Sequence, residues 1–249
     1  MFELPDLKSV VKKIIPRMIY EPVLAWWRPL KSARWRNLRR LTPASRVFGL
    51  DRGQSIDRYY IERFLQQYIA DIHGCVLEIG NSIYIRQFGR QQVTHVEVLY
   101  VMFGNPVATI IGNFETGESV PQGCFDCVIL TQTLQFIYNI KAAVANIYAA
   151  LKPGGILLAT LSGISQISQY DMERWGDYWR FTSLSARRLF EEVFPPANVT
   201  VEAYGNVLAA TALLYGLASH ELRTQELDFR DPDYEVSITV RAVKPKGIK

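Results

Sequence analysis

Cys75-Val76-Leu77-Glu78-Ile79-Gly80 decides how this chain is read. An apolar run passes straight into an acidic residue and a glycine, which is how a buried parallel strand ends beside a ligand site. Farther on, Leu151-Lys152-Pro153-Gly154-Gly155-Ile156-Leu157-Leu158-Ala159-Thr160 reads as the end of a helix, stopped by Pro-Gly-Gly, and the start of another buried strand. Between these two, apolar runs predict strands over 76–79, 93–98, 108–111 and 125–131. Ala143, Val144, Ile147, Tyr148 and Leu151 mark one face of a helix over 140–151. Strands alternating with helices give an α/β fold with a doubly wound, mostly parallel sheet.

Outward from that centre the pattern changes on both sides. After it comes a long connection over 163–180, rich in Ser, Gln, Tyr, Asp and Trp, whose aromatic content argues for a lid or an acceptor-binding wall. A helix from Thr182-Ser183-Leu184-Ser185 to Phe194, a strand over 199–204, an apolar helix over 207–217 and a last strand over 234–240 complete seven strands. Before the centre, Ile56, Tyr59, Tyr60, Phe64, Leu65, Tyr68 and Ile69 recur at helical spacing, with Ser55 as a capping residue. This helix either packs on the sheet or brings Arg52 and Tyr59 or Tyr60 to the ligand.

At 249 residues, with 49% apolar and 21% charged, the chain supports one sizeable core. The net charge of +4 is uneven. Residues 1–50 hold 11 Lys/Arg against 3 Asp/Glu, and residues 51–249 hold 17 against 21. A basic arm, 1–50, therefore precedes a mildly acidic domain, 51–249. Trp26, Trp27 and Trp35 interleave with Arg28, Lys31, Arg34, Arg36, Arg39 and Arg40. That pattern suits either tryptophans packed on the domain with solvated cations or contact with an anionic surface, lipid more than nucleic acid. Three cysteines give no disulfide framework, which points to a reducing cytoplasm, with peripheral contact at the inner membrane face if the arm meets lipid. The longest apolar run without charge, 207–218, is too short for the roughly 20 residues of a membrane span. Cys124-Phe125-Asp126-Cys127 runs into a strand with no second ligand pair, so it is read as structural and no metal is expected.

The candidate ligand residues sit where such sheets bind. Gly80 allows close backbone approach and opens a helix whose first amides would face the ligand. Glu78 is placed to accept from an ammonium or from sugar hydroxyls. Glu97 lies 17 positions beyond Gly80, near the spacing at which doubly wound folds hold ribose. Asn113 and Phe114 offer an amide edge and a stacking face, and Gln132, Thr133, Leu134 and Gln135 lie past the fourth strand. Asp171, Glu173 and Asp177 in the long connection are candidates for a general base, with Asp177 equally placed to pair with Arg180. His220 is read as a surface residue.

The order of these pieces resembles a class I S-adenosylmethionine-dependent methyltransferase. The resemblance covers residues 51–245 and implies a seventh strand inserted antiparallel. Where that family carries an acidic-x-Gly-x-Gly-x-Gly turn, this chain has Glu78-Ile79-Gly80-Asn81-Ser82-Ile83-Tyr84, with Ser82 and Tyr84 at the second and third glycines. Asp51-Arg52-Gly53, Ile56-Asp57-Arg58-Tyr59-Tyr60, Gly176-Asp177-Tyr178-Trp179-Arg180-Phe181-Thr182 and Tyr204-Gly205-Asn206-Val207-Leu208-Ala209 are similar to a bacterial methyltransferase-like group that accompanies glycan biosynthesis and shares the altered turn. The resemblance implies S-adenosyl-L-methionine as cofactor, held by Glu78, Gly80, Glu97, Asn113, Phe114 and Thr131. It also implies methyl transfer to an oxygen or nitrogen of a small-molecule or glycan acceptor. Two other readings stand beside it. One is a binding module that kept the fold without catalysis. The other is an RNA methyltransferase, which the absence of an Asn/Asp-Pro-Pro-Tyr/Phe motif at Thr131-Gln132-Thr133-Leu134 argues against.

Overall fold

The computed structural model describes residues 40–247. The arm's tryptophans and most of its cations lie outside them. In chain order the elements are α1 (Ile56–Gln67), β1 (Gly74–Ile79), a π-helical turn (Ile85–Gly89), β2 (Val93–Tyr100), β3 (Ile110–Ile111), β4 (Phe125–Thr131), α2 (Ile140–Ala150) and β5 (Leu151–Ser162). There follow α3 (Gln169–Met172), α4 (Ser183–Glu191), β6 (Val199–Tyr204), α5 (Val207–Leu214), α6 (Thr224–Asp228) and β7 (Ser237–Val243). The strands form one sheet in the order β3-β2-β1-β4-β5-β7-β6. Pairing is parallel through β5, while β7 lies antiparallel to both β5 and β6.

The period-2 alternation of each strand divides the core. Leu77, Val128 and Leu157 face α2 and α4, where Val144, Ile147 and Phe190 are fully covered. Val76, Ile129 and Leu158 face α1, through Ile61, Phe64 and Leu65, and the π turn, through Ile85 and Phe88. Each such side chain contributes about 1.5–3 kcal/mol by leaving water. The sheet is apolar on both sides because both sides are covered by helices.

Helix ends follow local chemistry. Asn139 Oδ1 accepts from Ala142 N–H at the start of α2. Thr182 and Ser185 cap each other at the start of α4. α5 ends at Leu214, earlier than its apolar pattern, because Gly216 (φ +68°) closes a Schellman turn: its N–H donates to Leu213 O and Leu217 N–H to Ala212 O, each at 2.9 Å. Pro153-Gly154-Gly155 does not lie beyond the helix as a free stop. Leu151 already has extended dihedrals and pairs with Phe125, and the ladder slips between Phe125 and Cys127 to absorb the extra residues. β7 starts three residues later than its pattern, since 231–234 form a turn through Tyr234 N–H to Asp231 O.

α1 takes the packing alternative. Tyr60 donates to Leu227 O and Tyr59 to Asp228 Oδ1, both toward the C-terminal third. Arg52 makes a two-point ion pair with Glu221, at 2.8 and 2.7 Å, mostly shielded from water. None of these three residues lines a cavity at the strand ends.

Candidate active site

Two cavities open at the carboxyl edge of the parallel strands, where open α/β sheets bind ligands. One, of about 450 Å³, is mainly apolar and is walled by Leu99, Tyr100, Phe114, Ile137 and Trp175. The other, of about 260 Å³, is mostly polar and includes Arg58, Glu78, Asn81, Gln132, Gln135 and Ser162. Ile79, Gln132, Phe136 and Asp171 line both, so the two meet across the ends of β1 and β4.

The glycine turn supports only part of the sequence reading. Gly80 has φ +79°, a conformation that favours glycine, and a Cβ there would meet nothing within 4 Å. Its backbone therefore borders open space on the apolar cavity. Three amides of the following turn are taken up within it, the first being Ile83 N–H, which donates to Asn81 Oδ1 at 3.0 Å. Tyr84 N–H and Ile85 N–H donate to the two carboxylate oxygens of Glu78, at 3.2 and 2.9 Å. Ser82 and Tyr84, in place of glycines, lead into a π turn folded onto a carboxylate that is 2% exposed. Burial pushes the Glu78 pKa up, the amides of Ile85 and Tyr84 pull it back, and it settles at about 7.

Of the other cofactor candidates, Asn113 and Phe114 line the apolar cavity, with Phe114 3% exposed and Asn113 Oδ1 accepting from Glu115 N–H. Thr131 lines the polar one. Glu97 lies apart. β2 runs three residues past it to Tyr100, so Glu97 pairs with Leu77 in mid-sheet and accepts from the Thr109 hydroxyl. The position at the strand end belongs to Tyr100, whose ring meets Trp175 edge to face at 5.6 Å.

The three base candidates separate in the same way. Glu173 is exposed and lines neither cavity. Asp177 accepts from Arg180 at 2.5 and 2.9 Å and from Ser168 N–H at 3.1 Å. Burial alone would raise its pKa, but Arg180 and the Ser168 amide outweigh that and hold it below the usual carboxylate range, which suits an anchor rather than a base. Asp171 borders both cavities, and its Oδ2 accepts from Ser168 Oγ at 2.6 Å. The long connection is thereby an ordered wall. Tyr178 N–H donates to Gln135 O, Trp179 Nε1 to Ile137 O, and Gln166 Nε2 to Arg46 O. His220 is exposed, with its ring against Gly53. Of the residues named past the fourth strand, Gln132 has φ +47°, and Gln135 is 5% exposed with its Oε1 unpartnered among the described residues.

These walls fit an adenosine-bearing cofactor. An open glycine backbone, a buried ring face and an amide edge line the apolar cavity, while the polar cavity supplies donors and acceptors beside it.

No curated protein sequence matches the chain. Similar solved structures include the N-methyltransferase NodS from Bradyrhizobium japonicum WM9, at 12% identity, 78% of this chain, 90% of that one and a TM-score of 0.48. Another is a methyltransferase from Archaeoglobus fulgidus, at 11%, 75%, 94% and 0.48. A third is the 1,6-didemethyltoxoflavin-N1-methyltransferase from Burkholderia thailandensis, at 13%, 78%, 80% and 0.48. Likeness at this level identifies neither cofactor nor acceptor. The sequence itself does more, since residues 54–198, more than half the chain, match the family model described as a methyltransferase domain. The chain belongs to that methyltransferase family.

Proposed function

We propose that the protein transfers a methyl group from S-adenosyl-L-methionine, the donor of its family, to an oxygen or nitrogen of a small polar acceptor, a sugar or glycan intermediate. The meeting of an apolar and a polar cavity at Asp171 carries this reading. When bound, the sulfonium supplies an activated methyl group whose departure leaves a neutral thioether. The chain's own part is then alignment, exclusion of water and handling of one proton. Leu99, Phe114 and Ile137 cover the apolar cavity and hold an adenine away from solvent. Asn113 offers its amide at the edge. Asp171, fixed by Ser168, accepts the proton of an acceptor hydroxyl at the border of the two cavities. Glu78 holds the turn in shape rather than presenting amides to the ligand.

That last feature favours the second reading, a binding module of the same fold, because the turn uses three amides internally. Calorimetric titration with S-adenosylmethionine and S-adenosylhomocysteine separates the two. Micromolar affinity, about 8 kcal/mol, supports the enzyme. No binding at millimolar ligand leaves the module.

A further inference from the structure

We propose that the edge of the sheet carrying both cavities docks on an anionic lipid bilayer. The inference stands apart from the methyl-transfer reading, because it concerns the rim of the cavities and not what they hold.

Exposed apolar side chains gather on this edge. The β2–β3 connection shows Val101, Met102, Phe103 and Val107 to solvent, with Phe103 86% exposed. Asn105 Nδ2 donates to Gly80 O at 2.7 Å, which sets that connection beside the turn carrying exposed Ile83. Val101 and Tyr170 both line the apolar cavity, and the long connection shows Ile167 and Tyr170 to solvent there. Tyr138 and Tyr178, both exposed, meet edge to face at 5.3 Å and extend the rim. The connections at the opposite edge, 68–73, 90–92, 119–124, 192–198 and 244–247, expose no large apolar side chain among the described residues. Single apolar residues scattered over a surface are normal, whereas a one-sided set of them marks an interaction face.

Charge and shape select lipid as the occupant. Residues 26–40, which lead into the domain, hold six Lys/Arg and three Trp with no Asp or Glu. The chain then meets the domain at this same edge: Arg46 O accepts from Gln166 Nε2, and Phe48 and Leu50 line the polar cavity. At the rim itself the Arg174 guanidinium lies over the exposed Tyr170 ring, 3.5 Å from its centre. Tyr and Trp beside Lys and Arg suit the headgroup layer, where a ring keeps one end apolar and the other wet and the cations meet lipid phosphates. The rim is divided among four connections around two openings. A fluid surface adapts to that outline, whereas a folded partner needs a matching shape. Docked this way, both cavities open toward the headgroup layer.

The test is vesicle flotation of the full chain, with phosphatidylcholine alone and with an equimolar mixture of phosphatidylcholine and phosphatidylglycerol. The wild type should float with the anionic vesicles only, and less as salt rises. A variant carrying Arg34→Gln, Arg36→Gln, Arg39→Gln and Arg40→Gln, and another carrying Met102→Ser and Phe103→Ser, should each bind at least about tenfold more weakly. Val96→Thr, on β2 away from the rim, should bind as the wild type does. Met102 and Phe103 line neither cavity, so their variant should keep the wild-type affinity for S-adenosylhomocysteine. No flotation of the wild type, equal flotation with neutral vesicles, or full binding by either multiple variant would overturn the proposal. So would a wild-type dimer that fails to float and that the Met102→Ser, Phe103→Ser variant dissociates, since the rim would then belong to a second copy of the chain. If the wild type floats but does not bind S-adenosylhomocysteine, the methyl-transfer reading fails and the docking face stands.

Discussion

Replacing Glu78 by glutamine should change how stability depends on pH. The carboxyl is 2% exposed and accepts one backbone bond on each oxygen. Burial raises its pKa, the Ile85 and Tyr84 amides and Arg86 oppose this, and the result is about 7 against an ordinary 4.5. An acid whose pKa is higher folded than unfolded holds its proton better in the native state. Its contribution is therefore most favourable below 4.5, declines as pH rises through the interval, and is constant above about 7. That interval corresponds to about 3 kcal/mol of lost stability. Glutamine has the same shape and never ionises, so the variant escapes this loss. All other titrating groups are shared and cancel in the difference. Urea unfolding of both proteins at about pH 4 and about pH 8 should move their relative stability by about 3 kcal/mol in favour of the Glu78→Gln variant. A difference that does not change with pH, or that moves toward the wild type as pH rises, would refute the reasoning. It would mean that the two amides outweigh burial and keep the carboxylate ionised.

Two further outcomes test the placement of residues. Arg52→Ala should cost about 3 kcal/mol in chemical denaturation by leaving Glu221 largely buried without its two-point partner, and the double variant with Glu221→Ala should cost less than the sum of the single ones. Glu97→Ala should leave S-adenosylhomocysteine affinity within about twofold of the wild type in calorimetry, whereas Trp175→Ala, which opens the wall of the apolar cavity, should weaken it at least about tenfold.

The sheet was legible because a parallel strand buried on both sides is a nearly continuous apolar run, and β4 and β6 have the bounds their runs predict. β5 was less so. Pro-Gly-Gly reads as a helix stop, and only pairing with Phe125 shows that the strand has already begun. Glu97 was misplaced because spacing from a glycine does not say where a strand ends, and β2 continues through Val98 and Leu99 into the core. In the turn after β1 the role of Gly80 was legible, but the path beyond it was not, since its shape depends on what Glu78 does once buried. Asp171 stood among three equivalent carboxylates until the fold sent Glu173 outward and gave Asp177 to Arg180. Gln135 was legible only as a position past β4, where open sheets bind ligands. An unmet acceptor exists only after every neighbour has been placed.

The antiparallel β7 has a consequence for the order in which the sheet can be built. β6 has β7 as its neighbour in the sheet, and β7 also completes β5. From Ser162, the last residue of β5, to Ser237, the first of β7, the chain runs about 75 residues, which a ribosome adds in about 4–15 s. Throughout that interval β5 has β4 on one side and a row of open backbone groups on the other, flanked by Leu157, Leu158 and Leu161. The strand pairs up to β5 can close early, but the second half of the sheet waits for a contact of high sequence separation. The nascent protein thus carries an adhesive edge for seconds, although in the finished molecule that edge is fully occupied.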